Sequence, residues 1–311
     1  MATAAAPTKP VRGIAPVAKG SVLIGPPLPE AQRRPPAFPP PWAVAWGDDR
    51  YGLWAELEIR AVVQRLRWIE PGTFLMGSPD DEPGRFDSEG PQHSVRLTQG
   101  FWLADTACTQ ALWVAVMGGE NQSHFSEDLQ CPVERVSWDD AVGFLARLSG
   151  EWCEGDQAHL PTEAEWEYAC RAGSPEAFHF GASVTTELVN FSGKFDFKDE
   201  EPTLGEPRNR TVPVKTFPPN RWGLYEMHGN VYEWCDDSGQ RRYAAAGTPV
   251  VDPRDAGKQD ETAPRALRGG SWISDARRCR SAFRFARERG NRFDGMGFRL
   301  ALRSSRTSPA R

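Results

Sequence analysis

A chain of 311 residues with 39% hydrophobic side chains can hold one large domain or two small ones. Twelve tryptophans and 29 glycines point to many turns pinned by large aromatic anchors rather than to a helical bundle. A net charge of −5 excludes a general nucleic-acid binder, which needs clustered positive charge for phosphates.

Residues 1–41 are rich in Pro, Ala and Gly and read as a flexible or polyproline arm. No apolar run in it is long enough for a signal peptide, and no segment approaches a membrane span, so a cytoplasmic protein is expected. The six cysteines are widely spaced, without a Cys-x-x-Cys pair, and are expected to be reduced and buried as small hydrophobes.

From Trp42 the character changes. WAELEI (54–59) and VVQRLRWI (62–69) alternate as strands, and EPGTFLMGS (70–78) reads as turn, strand, turn. One helix should begin after Ser137, with acids in its first turn. A second follows Thr162, with Glu165 completing a capping box and Gly173 as the left-handed stop. Beyond these two main helices, short strands and long loops are expected. The C-terminal stretch opens on RGGSW (268–272), a tight glycine turn with an aromatic anchor. It closes on GFRLAL (297–302), which alternates like a half-buried strand. Between them lie seven arginines from Arg277 to Arg292 and one cysteine, Cys279.

These phrases together resemble the formylglycine-generating enzyme family. PGTFLMGS near residue 75, LPTEAEWEYA (160–169), NRWGLYEMHGNVYEW (220–234), RGGSW and GFRL (297–300) stand in the family's order. The resemblance implies an α+β, C-type-lectin-like fold over residues 42–303, followed by a flexible tail, 304–311. It also implies calcium near Asn230, whose phrase includes Glu233, two residues with the hard oxygens that ion accepts, and a second calcium near Asn190. Enzymes of that family oxidise a substrate cysteine with the help of copper(I) held by two thiolates five residues apart. The matching positions here are Ser274 and Cys279, and a serine hydroxyl does not replace a soft thiolate. No copper is therefore expected. The alternative, an oxidoreductase of this type acting on a thiol or peptide substrate, would rest on Cys279 alone. The five histidines are scattered, with no zinc or non-haem iron grouping.

The stretch 268–300 is also similar to the variable proteins diversified by retroelements, in which a randomised interval lies between RGGSW-like and GFRL-like ends. Their variable codons are asparagine-type codons mutated at adenines. These can yield Ile273, Ser274, Asp275, Arg277, Arg278, Phe285, Ala286, Arg287, Phe293, Asp294 and Gly295, but not Glu288 or Met296. The resemblance implies a ligand-binding surface for a protein or other macromolecule, with Phe285, Phe293 and Ile273 as apolar anchors and arginines as multi-donor contacts. Arg277, Arg278, Arg287 and Arg292 are expected to be exposed, and Arg268, Arg280, Arg284 and Arg299 to form internal salt bridges. Trp272 and Phe298 are expected in the core.

Overall fold

Alternating apolar residues and tight turns build the N-terminal strands. The computed structural model describes residues 33–196, 203–239, 242–243, 249–254 and 262–304. The first strands are β1 (Ala45–Asp49), β2 (Gly52–Ile59), β3 (Val62–Ile69), β4 (Gly72–Met76), β5 (His93–Leu97) and β6 (Phe101–Ala104). Helices α1 (Gln110–Met117) and α2 (Trp138–Glu151) follow, then β7 (Asp156–His159) and α3 (Glu163–Arg171). The C-terminal part adds β8 (Tyr232–Ser238), β9 (Val250–Val251), β10 (Arg265–Arg268), β11 (Phe285–Arg287), β12 (Met296–Phe298) and β13 (Ala301–Ser304).

Three sheets result. The largest runs β1-β2-β3-β6-β13-β7, so the last strand is inserted among the first ones. The second runs β11-β10-β8-β12, with β12 parallel to β8, and the third runs β4-β5-β9. The architecture is α+β. One core lies where the large sheet meets α1 and α2, around Leu66, Trp113, Phe144 and Phe298, and a second surrounds α3 at Trp166 and Tyr168.

The two capped helices form as the sequence predicts. Ser137 pairs reciprocally with Asp140 and Thr162 with Glu165, and the second helix stops at Ala172 and Gly173, both left-handed (φ 44° and 83°). Helix α1 is an addition. Its sequence, QALWVAVM, is apolar nearly all round and carries no amphipathic period, so only Thr109, which accepts from the Leu112 amide, marks its start.

Two other expectations change. GFRLAL is not one half-buried strand: it divides at Arg299 and Leu300 into β12 and β13, which belong to different sheets, and all six residues are buried. The arm through residue 41 is also not free along its whole length. Residues 1–32 lie outside the described residues, but Phe38 stacks on Trp102 at 6.3 Å between centroids, and the Arg33 carbonyl accepts from Trp68 Nε1 at 2.6 Å. Of the expected tail, 305–311 also lies outside them. All six cysteines are buried and unbridged. Among the described residues no helix is long and apolar enough to cross a membrane.

Candidate ligand-binding site

Buried ion pairs fix the ground on which the site stands. Arg268 reaches Glu167 at 2.5 Å, and Arg280 is clamped between Glu82 and Glu89, each at 2.5 Å. Arg284 holds Glu163 at 2.6 and 2.9 Å, and Arg299 forks onto Glu233 at 2.8 and 3.0 Å. All four arginines are buried, as expected for frame residues. Their value lies in fixing one geometry, because desolvation offsets much of the Coulomb gain.

Strand β10 leaves the frame through Gly269 and Gly270, both left-handed (φ 91° and 77°). A Cβ on Gly270 would lie 2.6 Å from Cys279 Sγ, so the turn requires glycine there. The loop then runs through Ile273 into a single 3-10 turn, 276–279, capped by Asp275, and returns along β11. Residues 288–295 bring it back to β12. Its arginines staple that return to the first turn of α2: Arg289 to Asp139 at 2.6 Å, and Arg292 to both oxygens of Asp140 at 2.8 and 2.9 Å.

These three loop segments enclose an open cavity of about 320 Å³. Tyr232, Ser271, Ser274, Gly295 and Met296 line it from the buried side. Ile273 (56% exposed) and Phe293 (54%) are large apolar residues left in solvent, and Phe285, Arg278 and Arg287 complete the walls. Phe285 packs inward on Tyr232 at 5.3 Å, and the Arg287 guanidinium lies over the Phe285 ring at 4.4 Å. Strand alternation explains the pair: Phe285 and Arg287 share the cavity face, while Ala286 points to the other side. A Cβ added to Gly239 would lie 2.2 Å from that of Ala286.

The candidate binding residues therefore divide. Ile273, Ser274, Arg278, Phe285, Arg287 and Phe293 converge on the cavity. Five others support it instead. Asp275 is buried and caps the 3-10 turn, accepting from the Arg278 amide at 3.1 Å. Arg277 is held against Phe86 at 4.4 Å and donates to the Gly84 carbonyl at 3.1 Å. Ala286 packs behind β11, Arg292 is committed to Asp140, and Asp294 accepts from Arg135 at 2.5 Å. Phe285 is half-buried rather than on an exposed loop. Trp272 is also half-buried, not core: its ring meets Phe125 edge-on at 5.4 Å, and its Nε1 donates to the Asp294 carbonyl at 3.0 Å. Sequence reasoning missed Tyr232 and Met296, frame residues with no variable-position signal, although the NVYEW phrase placed Tyr232 beside the buried Glu233.

Cys279 is fully buried, and that burial pushes its thiol up, away from the reactive thiolate. Ser274, at the other copper position, accepts from the Ser271 amide at 3.0 Å and donates to the Tyr232 hydroxyl at 3.1 Å. One thiol and one engaged hydroxyl do not supply the pair of thiolates that the family resemblance implies for copper(I).

The expected calcium ligands are engaged with protein groups. The Glu233 carboxylate is taken up by Arg299 and by Trp166 Nε1, the latter at 2.7 Å. Asn190 and Asn230 bond to each other at 3.0 Å and to the carbonyls of Arg210 and Val212. Among their side-chain atoms only Asn190 Oδ1 is left buried without a partner.

Fold and site together define an α+β scaffold carrying a loop-built pocket above a frame of buried ion pairs. The chain belongs to the sulfatase-modifying factor enzyme 1-like domain family, whose family model matches residues 56–304. It is similar to the formylglycine-generating enzyme of Streptomyces coelicolor, 32% identical over 239 residues, covering 72% of this chain and 71% of that protein. Among solved structures it resembles Treponema denticola variable protein 1, with a TM-score of 0.63 and 25% identity over 80% of this chain and 99% of that one. PvdO from Pseudomonas aeruginosa gives 0.60 and 25%, over 84% of this chain and 98% of that one.

Proposed function

We propose that this chain is a ligand-binding member of its family, displaying exchangeable side chains on a fixed scaffold in the manner of a retroelement variable protein. One observation carries the reading. Five side chains from separate loop segments, Ile273, Arg278, Phe285, Arg287 and Phe293, meet at one open cavity, while the frame arginines interleaved with them in sequence point inward. Loops on a rigid scaffold can change such residues at little cost to folding. Exposed apolar walls with arginines beside them are the composition of an interface centre. The likeness to Treponema denticola variable protein 1 supports the same reading.

The second reading, an oxidoreductase acting on a thiol or peptide, is favoured by the 32% identity to a formylglycine-generating enzyme. It lacks a second thiol beside Cys279. Sequencing the DNA around this gene in sibling isolates separates the two. A reverse transcriptase gene, and a near-copy of the 268–300 coding stretch differing at adenines, are expected, with variation at codons 273, 274, 278, 285, 287 and 293. A neighbouring sulfatase gene and an invariant stretch would favour the enzyme.

A further inference from the structure

We propose that the pocket takes an acidic protein segment: an aliphatic or aromatic side chain seats between Ile273, Phe285 and Phe293, and an adjacent carboxylate meets Arg287 and Arg278. This inference rests on the pocket being the ligand site and adds the chemistry of what enters it. Its size comes first. About 320 Å³ is near the lower end of ligand pockets, roughly 300–1,000 Å³, so the cavity admits a side chain or two rather than a folded element. Its walls come second. Ile273 and Phe293 each leave more than half of their surface in water, and covering them is the apolar gain that binding offers.

Charge then selects among apolar ligands. Among the described residues, Arg278, Arg287 and Tyr232 are the ionisable ones that line the cavity, and no carboxylate does. Burial pushes the Tyr232 phenol up, so it stays neutral. Of the nearby acids, Asp294 faces Arg135, whereas Asp275 lies buried against Arg278 at 3.0 Å and offsets part of its charge. Arg287 therefore supplies most of the positive charge at the mouth, in a chain of net charge −5.

Both cations are also held in place before a ligand arrives. Asp275 anchors Arg278, and the Arg287 guanidinium is held over the Phe285 ring at 4.4 Å, a contact that does not use up its N–H donors. Cations ordered in advance lose less entropy on binding. Two of them suffice for a carboxylate and fall short of the run of phosphates that a nucleic acid presents.

The test is selection of a displayed random-peptide library on the full chain, with Arg287→Gln, Arg287→Lys and Phe293→Ala chains panned in parallel and their melting curves recorded. Enriched peptides should place Asp or Glu within two positions of an aromatic or aliphatic residue. Affinity of a synthesised winner should fall about tenfold or more in Arg287→Gln and in Phe293→Ala, and less in Arg287→Lys, with melting unchanged. It should also weaken with added salt. Winners that are neutral or basic, lost in Phe293→Ala but indifferent to Arg287→Gln, would overturn the acidic chemistry and leave the pocket standing. Winners that bind all four chains equally, or no enrichment at all, would overturn the pocket reading as well.

Discussion

Replacing Arg299 by methionine tests the frame at its most loaded point. Arg299 lies at the switch from β12 to β13, where the chain passes from the second sheet to the first. Its guanidinium forks onto Glu233 at 2.8 and 3.0 Å and also donates to the carbonyls of Ala104 at 3.0 Å and Tyr225 at 2.7 Å. Both partners of the ion pair are buried. Methionine fills much of the volume but leaves the Glu233 carboxylate with one side-chain donor, Trp166. Breaking one side of such a pair costs about 3–5 kcal/mol, most of it the penalty of an uncompensated buried charge. If that is the source, removing the charge should recover part of the loss. Glu233→Gln combined with Arg299→Met should therefore be more stable than Arg299→Met alone, by about 1–3 kcal/mol. Urea unfolding of wild type, both single variants and the double variant closes the cycle. A single-variant cost below about 1 kcal/mol, or a double variant no better than Arg299→Met, would refute the claim that this pair locks the two sheets together.

Three further outcomes follow from buried groups. Burial holds the imidazole of His228 down at about 4 against 6.5 in water, its Nδ1 donating to the Cys279 carbonyl at 2.7 Å. The unfolded chain takes up that proton first, so this stability is intact above pH 6.5 and lost as pH falls toward 4, on the order of 3 kcal/mol in all. Glu134 and Glu226, each raised to about 7 by burial, act in the opposite sense, their stability being lost as pH rises through that value. The His228→Gln variant isolates the imidazole: its deficit relative to wild type should shrink as pH falls from about 7 to about 4.5, and a constant deficit would contradict the assignment. Copper(I) titrated against a competing chelator should show no one-to-one site; tight binding that disappears in Cys279→Ala would contradict the donor-set argument. Melting curves in chelator and in excess calcium should coincide, because Glu233 is committed to Arg299; a rise with calcium would show that the Asn190–Asn230 pair opens to take the ion.

The frame was legible where local chemistry declares itself. The caps at Ser137 and Thr162, and the alternating strands from Trp54 to Ile69, follow from residue type and spacing alone. Arg268, Arg280, Arg284 and Arg299 could be assigned inward because the phrases around them resemble a family frame, not because an arginine reveals its own burial. Helix α1 was hidden because QALWVAVM is buried on most sides and shows no period. The division of GFRLAL was hidden because a sheet switch is a tertiary event, and alternation does not predict it. Within the site, Ile273, Arg287 and Phe293 were read correctly as displayed. Arg292 is exposed as expected but tied to Asp140, and Arg277 and Asp294 turn onto Gly84 and Arg135, because such pairing depends on partners far away in sequence.

The central claim is that display and frame alternate within this short stretch, and two phenylalanines five positions apart test it most directly. Phe293 is 54% exposed, whereas Phe298 is 0% exposed and packs edge-on against Phe144 at 5.2 Å and Trp113 at 6.2 Å. Half-buried Phe285 should fall between them. Urea unfolding of the alanine variants should show a cost within about 0.5 kcal/mol for Phe293 and about 3–5 kcal/mol for Phe298. Equal costs at the two positions would make Phe293 part of the core, and the pocket would then be scaffold rather than a binding surface.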